Sequence, residues 1–317
     1  MRNAAVSERL AIVGGGSIGV AWAIVFARAG HAVAVYDPDP GRRVLLDREV
    51  ADRLADLEAA ELLDEPSEAV LARLTNCDEL GAALGGAVYV QECAPDSLEL
   101  KREVFAELDA GAAPEAILAS SSSMMPVSAF AHELPGRERC LVVHPGNPPH
   151  LLPIAEVVPA TFTRSDVTDR AIELLERAGM SVVHVRKEVE GFIFNRLQGA
   201  VLREAWCLVR DGVATVEDID RTMRDGLGRR WALMGPFETT DLNTRGGLAV
   251  HAPRMGPGYE RMGAERGQHD PWTPDLVERV VAQRRAILPL DRWEDRVRWR
   301  DHGLIALDRA RSTIGPF

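Results

Sequence analysis

The first hydrophobic feature of the chain is a short apolar run, Arg9–Val13, that stops at Gly14-Gly15-Gly16-Ser17-Ile18-Gly19. An apolar helical stretch then continues to Ala29 and closes on Gly30, a residue suited to the left-handed position after a helix. Ala32–Tyr36 is again continuously apolar and ends on Asp37. Short apolar runs bounded by turn residues read as strands buried on both faces. Beyond a polar helical stretch from about Asp39 to Leu74 the alternation resumes. It predicts strands over Ala87–Cys93, Ala116–Ala119 and Arg139–His144, a helix over Ser97–Ala110, and a further apolar run, Leu151–Val158. Strands alternating with helices predict a doubly wound, mostly parallel sheet. From Gly191 the period becomes helical, with Ile193, Leu197, Val201, Ala205 and Leu208 on one face of a helix over Phe192–Arg210 that ends at Gly212. Thr215 is placed to cap a second helix. Pro236 and Pro274 stand where others would begin, the latter after Thr273, and Trp293–Arg311 forms a last amphipathic helix.

Strand, Gly-x-Gly-x-x-Gly, helix, strand and acid is a combination with a specific physical use. Gly14 permits a tight turn, Gly16 lets backbone approach a pyrophosphate, and Gly19 lets the helix pack closely on the sheet. The first helical amides, at Ser17 and Ile18, face the phosphates. Asp37 falls about 20 residues on, where a carboxylate accepts hydrogen bonds from a ribose 2′-hydroxyl and repels a 2′-phosphate. NAD is therefore expected over NADP, with Arg42 and Arg43 as the residues that could weaken the preference. The fold class expected is α/β: a Rossmann-type domain over 1–189 with a helical insertion near 39–74, then an all-α domain over 190–317.

Ligands in such sheets lie beyond the carboxyl ends of the strands, which draws attention to Glu92–Asp96, Ser120–Ser123 and His144. His144 ends an apolar strand, and Pro145 restricts it to an extended conformation. The next apolar run carries one charge, Glu156, and a carboxylate among Ile154, Val157 and Val158 is costly unless paired. A turn between the two runs would return Glu156 to His144. Together they would form a general base and the acid that fixes its tautomer. A strand-end histidine beside an unrelated edge glutamate is the structural alternative. The serines at 120–123 could equally be satisfying loop backbone.

The net charge of −11 argues against a nucleic-acid or anionic-membrane partner. No apolar run approaches the ~20 residues that span a bilayer. Cys77, Cys93, Cys140 and Cys207 are scattered without metal-ligand spacing, so reduced thiols and no metal site are expected. With an N-terminal segment that lacks a secretory apolar stretch, this points to the cytoplasm.

The order GGGSIG, ASSSSMMP, HPGNPP with the following AEV, and GFIFNRL resembles the L-3-hydroxyacyl-CoA dehydrogenase family. Within it the chain is most similar to the branch of lambda-crystallin and L-gulonate 3-dehydrogenase. QECAPDSLELK, KEVEGFIFNRLQGAVLREAW, GLGRRWALMGPFET and RWRDHGLIALDRA extend the likeness over nearly the whole chain. The resemblance implies that His144 and Glu156 are the catalytic pair, and that Asn195 and a serine of the run bind the substrate oxygen. Position in the motif favours Ser123, and a slip of one residue gives Ser122. It further implies that Asp96 and Lys101 line the cofactor, Asp96 standing where Glu is common. Asn147 and Arg230 become candidate substrate contacts, and a homodimer built on the helical domain is expected, with the active site between domains.

Two features bear on substrate. The stretch Asp39–Arg73 holds ten acids against five arginines and no lysine, an unsuitable surface for the phosphates of CoA unless the basic residues share one face. A solvated amphipathic hairpin would have the same composition. In GLGRRWALMGP, the resemblance aligns Arg230 with an arginine of the gulonate branch, and a guanidinium grips a free carboxylate through paired hydrogen bonds. A small L-gulonate-like 3-hydroxy acid is the favoured substrate. A short-chain L-3-hydroxyacyl-CoA is the alternative, and a structural NAD-binding protein of crystallin type is a third reading.

Overall fold

The computed structural model describes residues 7–232, 234–243, 248–266 and 289–314, together with positions 275, 282 and 286. The predicted helix start at Thr273-Pro274 lies outside these residues.

Eight strands form one sheet in the order β3-β2-β1-β4-β5-β6-β7-β8. They are β1 (Arg9–Val13), β2 (Ala32–Tyr36), β3 (Leu74–Cys77), β4 (Tyr89–Glu92), β5 (Ile117–Ser120), β6 (Cys140–Pro145), β7 (Ile154–Pro159) and β8 (Ser181–His184). β1 to β6 pair in parallel, β7 turns back antiparallel to β6, and β8 runs parallel to β7. The sheet is the doubly wound one that the alternation predicts. The polar stretch after Asp37 is not wholly outside it, because β3 pairs with β2 and extends the sheet by one strand.

The helix α1 (Ser17–Arg28) is apolar nearly all round because its residues from Gly19 to Ala27 are buried. Gly30, at φ +93, ends that segment. α2 (Pro40–Ala59) starts at Asp39, whose side chain accepts from the Gly41 amide, and buries only Leu46, Val50, Leu54 and Leu57. That spacing is one helical stripe, and the remaining faces are polar. Ser97 caps the helix Leu98–Gly111 through the Leu100 amide, so the helix starts one residue after the predicted position.

The chain divides into two compact units, one running to Arg196 and taking in Asp301–Ser312, the other centred on Leu197–Arg300. The first unit thus extends a few residues past the expected boundary at 189/190 and takes in part of the last helix. Ile305 of the last helix, Trp293–Ile314, is buried in the core cluster that contains Leu46, Val50, Leu54 and Leu57, and Arg309 pairs with Glu61 at 2.8 Å. In the second unit every described element is helical. Thr215 and Asp218 form a reciprocal capping box at Val216–Thr222, and Pro236 opens the helix Pro236–Leu242. Among the described residues no helix is long and apolar enough to cross a membrane.

Candidate active site

The sheet order reverses between β1 and β4, the kind of position where open α/β sheets hold their ligands. Around it the strand ends present Asp37 after β2, Gly14 after β1, Cys93 after β4, Ser121 after β5 and His144 on β6. All five line one cavity of about 760 Å³, with Gly16, Ser17, Ile18, Asp96, Ser123 and Asn147 among its other walls.

At one end is the glycine turn. Gly14 has φ +108, and a Cβ there would lie 2.8 Å from the Cys93 carbonyl. A Cβ on Gly19 would lie 1.8 Å from the Gly14 carbonyl oxygen, so only glycine lets α1 approach the turn this closely. At Gly16, by contrast, a Cβ would meet nothing within 4 Å, so open space adjoins its backbone. No side chain caps α1. Its first-turn amides are left for an anion. Asp37 accepts from the Gly15 amide at 2.6 Å and from the Asp39 amide at 2.9 Å. The two neighbouring arginines are engaged locally: Arg42 grips Glu49 at 2.9 and 3.0 Å, and Arg43 donates to the Asp37 carbonyl at 2.7 Å.

At the other end His144 and Glu156 face each other across the β6–β7 ladder. Nδ1 of His144 is 2.8 Å from Oε2 of Glu156, and the residues are 7% and 2% exposed. The second carboxylate oxygen accepts from the amides of Ile193 at 2.7 Å and Phe194 at 2.9 Å, the start of the helix Phe194–Arg210. A helix N-terminus favours a negative charge. The imidazole packs between Phe192 and Phe194, with ring centroids 5.7 and 6.0 Å away. The spacing of the two strands predicts the histidine–glutamate contact. It carries no sign of the two amides.

The serine run divides by exposure. Ser123 lines the cavity and gives both its Oγ–H (2.6 Å) and its N–H (3.0 Å) to Oδ2 of Asp96. Its carbonyl accepts from Nδ2 of Asn195 at 2.6 Å. Ser122 is fully buried, its Oγ accepting from the Met125 amide at 3.1 Å, and it is not part of the cavity wall. Asp96 is held below its ordinary carboxylate value: burial pushes it up, but the Ser123 hydrogen bonds and the Lys101 charge outweigh that.

Lys101, expected beside the cofactor, is also fully buried and does not line the cavity. Its ammonium donates to both oxygens of Glu92 at 3.0 and 3.1 Å and lies 3.4 Å from Asp96. Glu92 in turn accepts from Ser120 Oγ and the Ala94 amide, both at 2.6 Å. Burial raises the Glu92 carboxyl against the pull of Lys101. An acid ending an apolar strand, with a lysine in the following helix, was the available sequence signal. Arg230 lies in the second unit on the short helix Gly228–Trp231 and is exposed. Among the described residues no group of three or more His, Cys, Asp or Glu could hold a metal ion.

Residues 9–189 match the NAD-binding domain of 3-hydroxyacyl-CoA dehydrogenase, and residues 191–287 match the C-terminal domain of the same enzymes. The chain belongs to the 3-hydroxyacyl-CoA dehydrogenase family. It is 39% identical over 316 residues to a lambda-crystallin homolog of Bos taurus, covering 96% of each chain. It is 37% identical to an L-carnitine dehydrogenase of Streptomyces coelicolor, over 98% of this chain and 96% of that one. Among solved structures it is similar to a 5-formyl-3-hydroxy-2-methylpyridine 4-carboxylic acid 5-dehydrogenase, an NAD+-dependent dismutase. The TM-score is 0.83 at 26% identity, covering 96% of this chain and 98% of that chain.

Membership makes the chain an NAD-dependent oxidoreductase acting on a CH–OH group. The residues present fit the dinucleotide: open space at Gly16, uncapped amides on α1 and a carboxylate at Asp37 occupy one end of a single cavity. Gly14, Gly16, Ser17 and Ile18 would hold the pyrophosphate, and Asp37 the adenosine ribose.

Proposed function

We propose that this enzyme oxidises the 3-hydroxyl of a small L-3-hydroxy acid with a free carboxylate, L-gulonate-like, to the 3-keto acid. The observation that carries the chemistry is the buried His144–Glu156 pair opening on the NAD cavity. A carboxylate only accepts hydrogen bonds, so the contact puts a proton on Nδ1 of His144 and leaves the Nε2 lone pair to take the hydroxyl proton. Glu156 offsets the charge of the imidazolium that forms, and the Ile193 and Phe194 amides keep its carboxylate from rotating away. Bound NAD supplies the hydride acceptor. Ser123, whose Oγ–H is given to Asp96, keeps lone pairs for a substrate hydroxyl beside Asn195.

The free-acid reading rests on the surface of α2 and its neighbours. Each of the five arginines there has a local partner: Glu49 for Arg42, Asp78 and the Asp37 carbonyl for Arg43, Asp52 for Arg48, Ser17 for Arg53 and Glu65 for Arg73. That surface offers little to the phosphates of CoA. Two of the similar proteins are named for substrates with a free carboxylate, carnitine and a pyridine carboxylic acid. We assign recognition of the carboxylate to Arg230 and propose a homodimer. Apolar Leu197, Phe237, Leu242 and Tyr259 of the second unit are exposed in the single chain, which supports an assembly through that unit. The deciding experiment is NAD reduction with L-gulonate, L-3-hydroxybutyrate, L-carnitine and 3-hydroxybutyryl-CoA in parallel. Turnover of the thioester alone overturns the free-acid assignment. Absence of turnover with all four favours a structural NAD-binding role.

A further inference from the structure

A hydroxyl that sequence reasoning left unassigned lies on the same wall. Oγ of Ser121 is 3.2 Å from Nε1 of Trp22 and 2.8 Å from Nε2 of Gln91. The indole nitrogen can only donate. The Gln91 amide is oriented by its other contacts: Nε2 is 3.4 Å from the Val143 carbonyl, and Oε1 accepts from the Tyr89 hydroxyl. Both neighbours therefore donate to Ser121 and occupy its two lone pairs. Its own proton must go elsewhere. The third neighbour is Sγ of Cys93 at 3.3 Å. Burial pushes that thiol up to about 12, so it is a neutral sulfur, a weak acceptor at best. That weak contact holds the proton before the cofactor binds, and a stronger acceptor bound in the cavity that Ser121 lines would take it over.

In the sheet, β5 stands next to β6, which carries His144, and is separated from β2, which leads to Asp37, by β1 and β4. Ser121 thus belongs to the end of the cavity where the alcohol is oxidised, opposite the adenosine ribose. We propose that Ser121 is a cofactor-positioning donor whose hydroxyl is given to the carboxamide oxygen of bound nicotinamide. Trp22 and Gln91 fill both lone pairs of that hydroxyl from within the core, so it can meet the cofactor only as a donor. The orientation of the cofactor rests on the His144 reading, but the test below measures binding and does not depend on His144 chemistry.

The probe pair is NADH and reduced thionicotinamide adenine dinucleotide, in which sulfur replaces the carboxamide oxygen and accepts hydrogen bonds poorly. Isothermal titration should find NADH bound more tightly than the thio analogue by about threefold to tenfold, the worth of one neutral hydrogen bond. In Ser121→Ala that ratio should fall towards one. In Ser121→Thr, which keeps the hydroxyl, it should persist. Ser121→Ala also leaves the Trp22 and Gln91 donors without their acceptor, so its melting temperature should drop. A purely structural serine would lower the melting temperature and leave the oxygen-to-sulfur ratio of the folded protein unchanged. Cys93→Ala should keep the wild-type ratio. The proposal is overturned if the wild type binds the two dinucleotides equally or if Ser121→Ala retains the wild-type ratio.

Discussion

Glu156 lies directly opposite His144 in the antiparallel register of β6 and β7, with one oxygen on the imidazole and the other on two helix-start amides. The carboxylate is thereby fixed at both ends. Glu156→Gln keeps the shape and an oxygen for the amides, but turns the group facing Nδ1 into a donor. The imidazole proton would then move to Nε2, the nitrogen needed as base. Both Glu156→Gln and His144→Gln are expected to cut turnover about 10²–10⁴-fold with little change in NADH affinity. The double variant should lose far less than the product of the single losses, because the pair acts as a unit. Near-native turnover in His144→Gln removes the base assignment.

Cofactor preference should follow Asp37. Its carboxylate holds the Gly15 and Asp39 amides and lines the cavity, so replacing it loosens the turn and removes the ribose acceptor together. Asp37→Ala is expected to weaken NAD binding by roughly tenfold or more, the scale of a charge-assisted hydrogen bond, and to narrow the gap to NADP. Comparison of kcat/KM for the two cofactors reads this out. Equal efficiency in the wild type would refute the preference.

The buried pair Glu92–Lys101 should behave as a unit in stability. Removing Lys101 leaves the Glu92 carboxylate without its cation in the core, at a cost of about 3–5 kcal/mol, whereas removing Glu92 leaves Lys101 its second partner, Asp96 at 3.4 Å. Lys101→Met is expected to lower the urea midpoint strongly and Glu92→Gln less, while the double variant recovers much of the Lys101→Met loss. An additive double variant would show that the two charges are independently solvated.

The parts of this molecule that were legible in its sequence are those whose determinants are contiguous. The glycine turn, its flanking strands and Asp37 lie within one stretch of chain, and each residue type answers a local backbone or charge requirement. His144 and Glu156 could be brought together because one antiparallel turn connects their strands. β3 and β8 escaped because neither is a buried apolar run. Leu74–Cys77 and Ser181–His184 are half exposed and owe their strand state to an already formed neighbour. The serines of 120–123 are alike in sequence. Ser121 is set apart by Trp22, 99 residues away along the chain, and Ser122 by its burial. Lys101 was expected beside the cofactor from the resemblance alone; its burial depends on Glu92, a partner that the resemblance did not bring in.

Substrate recognition is testable at Arg230. An ammonium cannot reproduce the planar, paired donors of a guanidinium. Arg230→Lys is expected to raise KM for L-gulonate or L-carnitine by roughly tenfold, the scale of a charged hydrogen bond. With 3-hydroxybutyryl-CoA, which has no carboxylate at that end, the same variant should be nearly silent. Full activity of Arg230→Lys and Arg230→Ala on the acids would exclude the role.

Acid stability provides a test of the contact between Asp96 and Ser123. Asp96 titrates below its ordinary value, burial opposing and the two Ser123 hydrogen bonds with Lys101 prevailing. A carboxyl depressed in the folded state contributes stability at pH above its unfolded value of about 3.9, and loses it as pH falls through the folded value. The contribution is therefore intact at pH 7 and at pH 5 and fades below about pH 4. Asp96→Asn can still accept from Ser123 through its amide oxygen but has no charge to titrate. Its urea midpoint should sit below that of the wild type at pH 5 to 7, and the difference should shrink towards pH 3. Ser123→Ala should shrink the acid-linked part of the decline, because Asp96 then loses the hydroxyl donor that holds it down and its folded value moves towards the unfolded one. Urea curves for wild type and Asp96→Asn that stay equally separated from pH 7 to pH 3 would mean that Asp96 is not linked to folding through this contact.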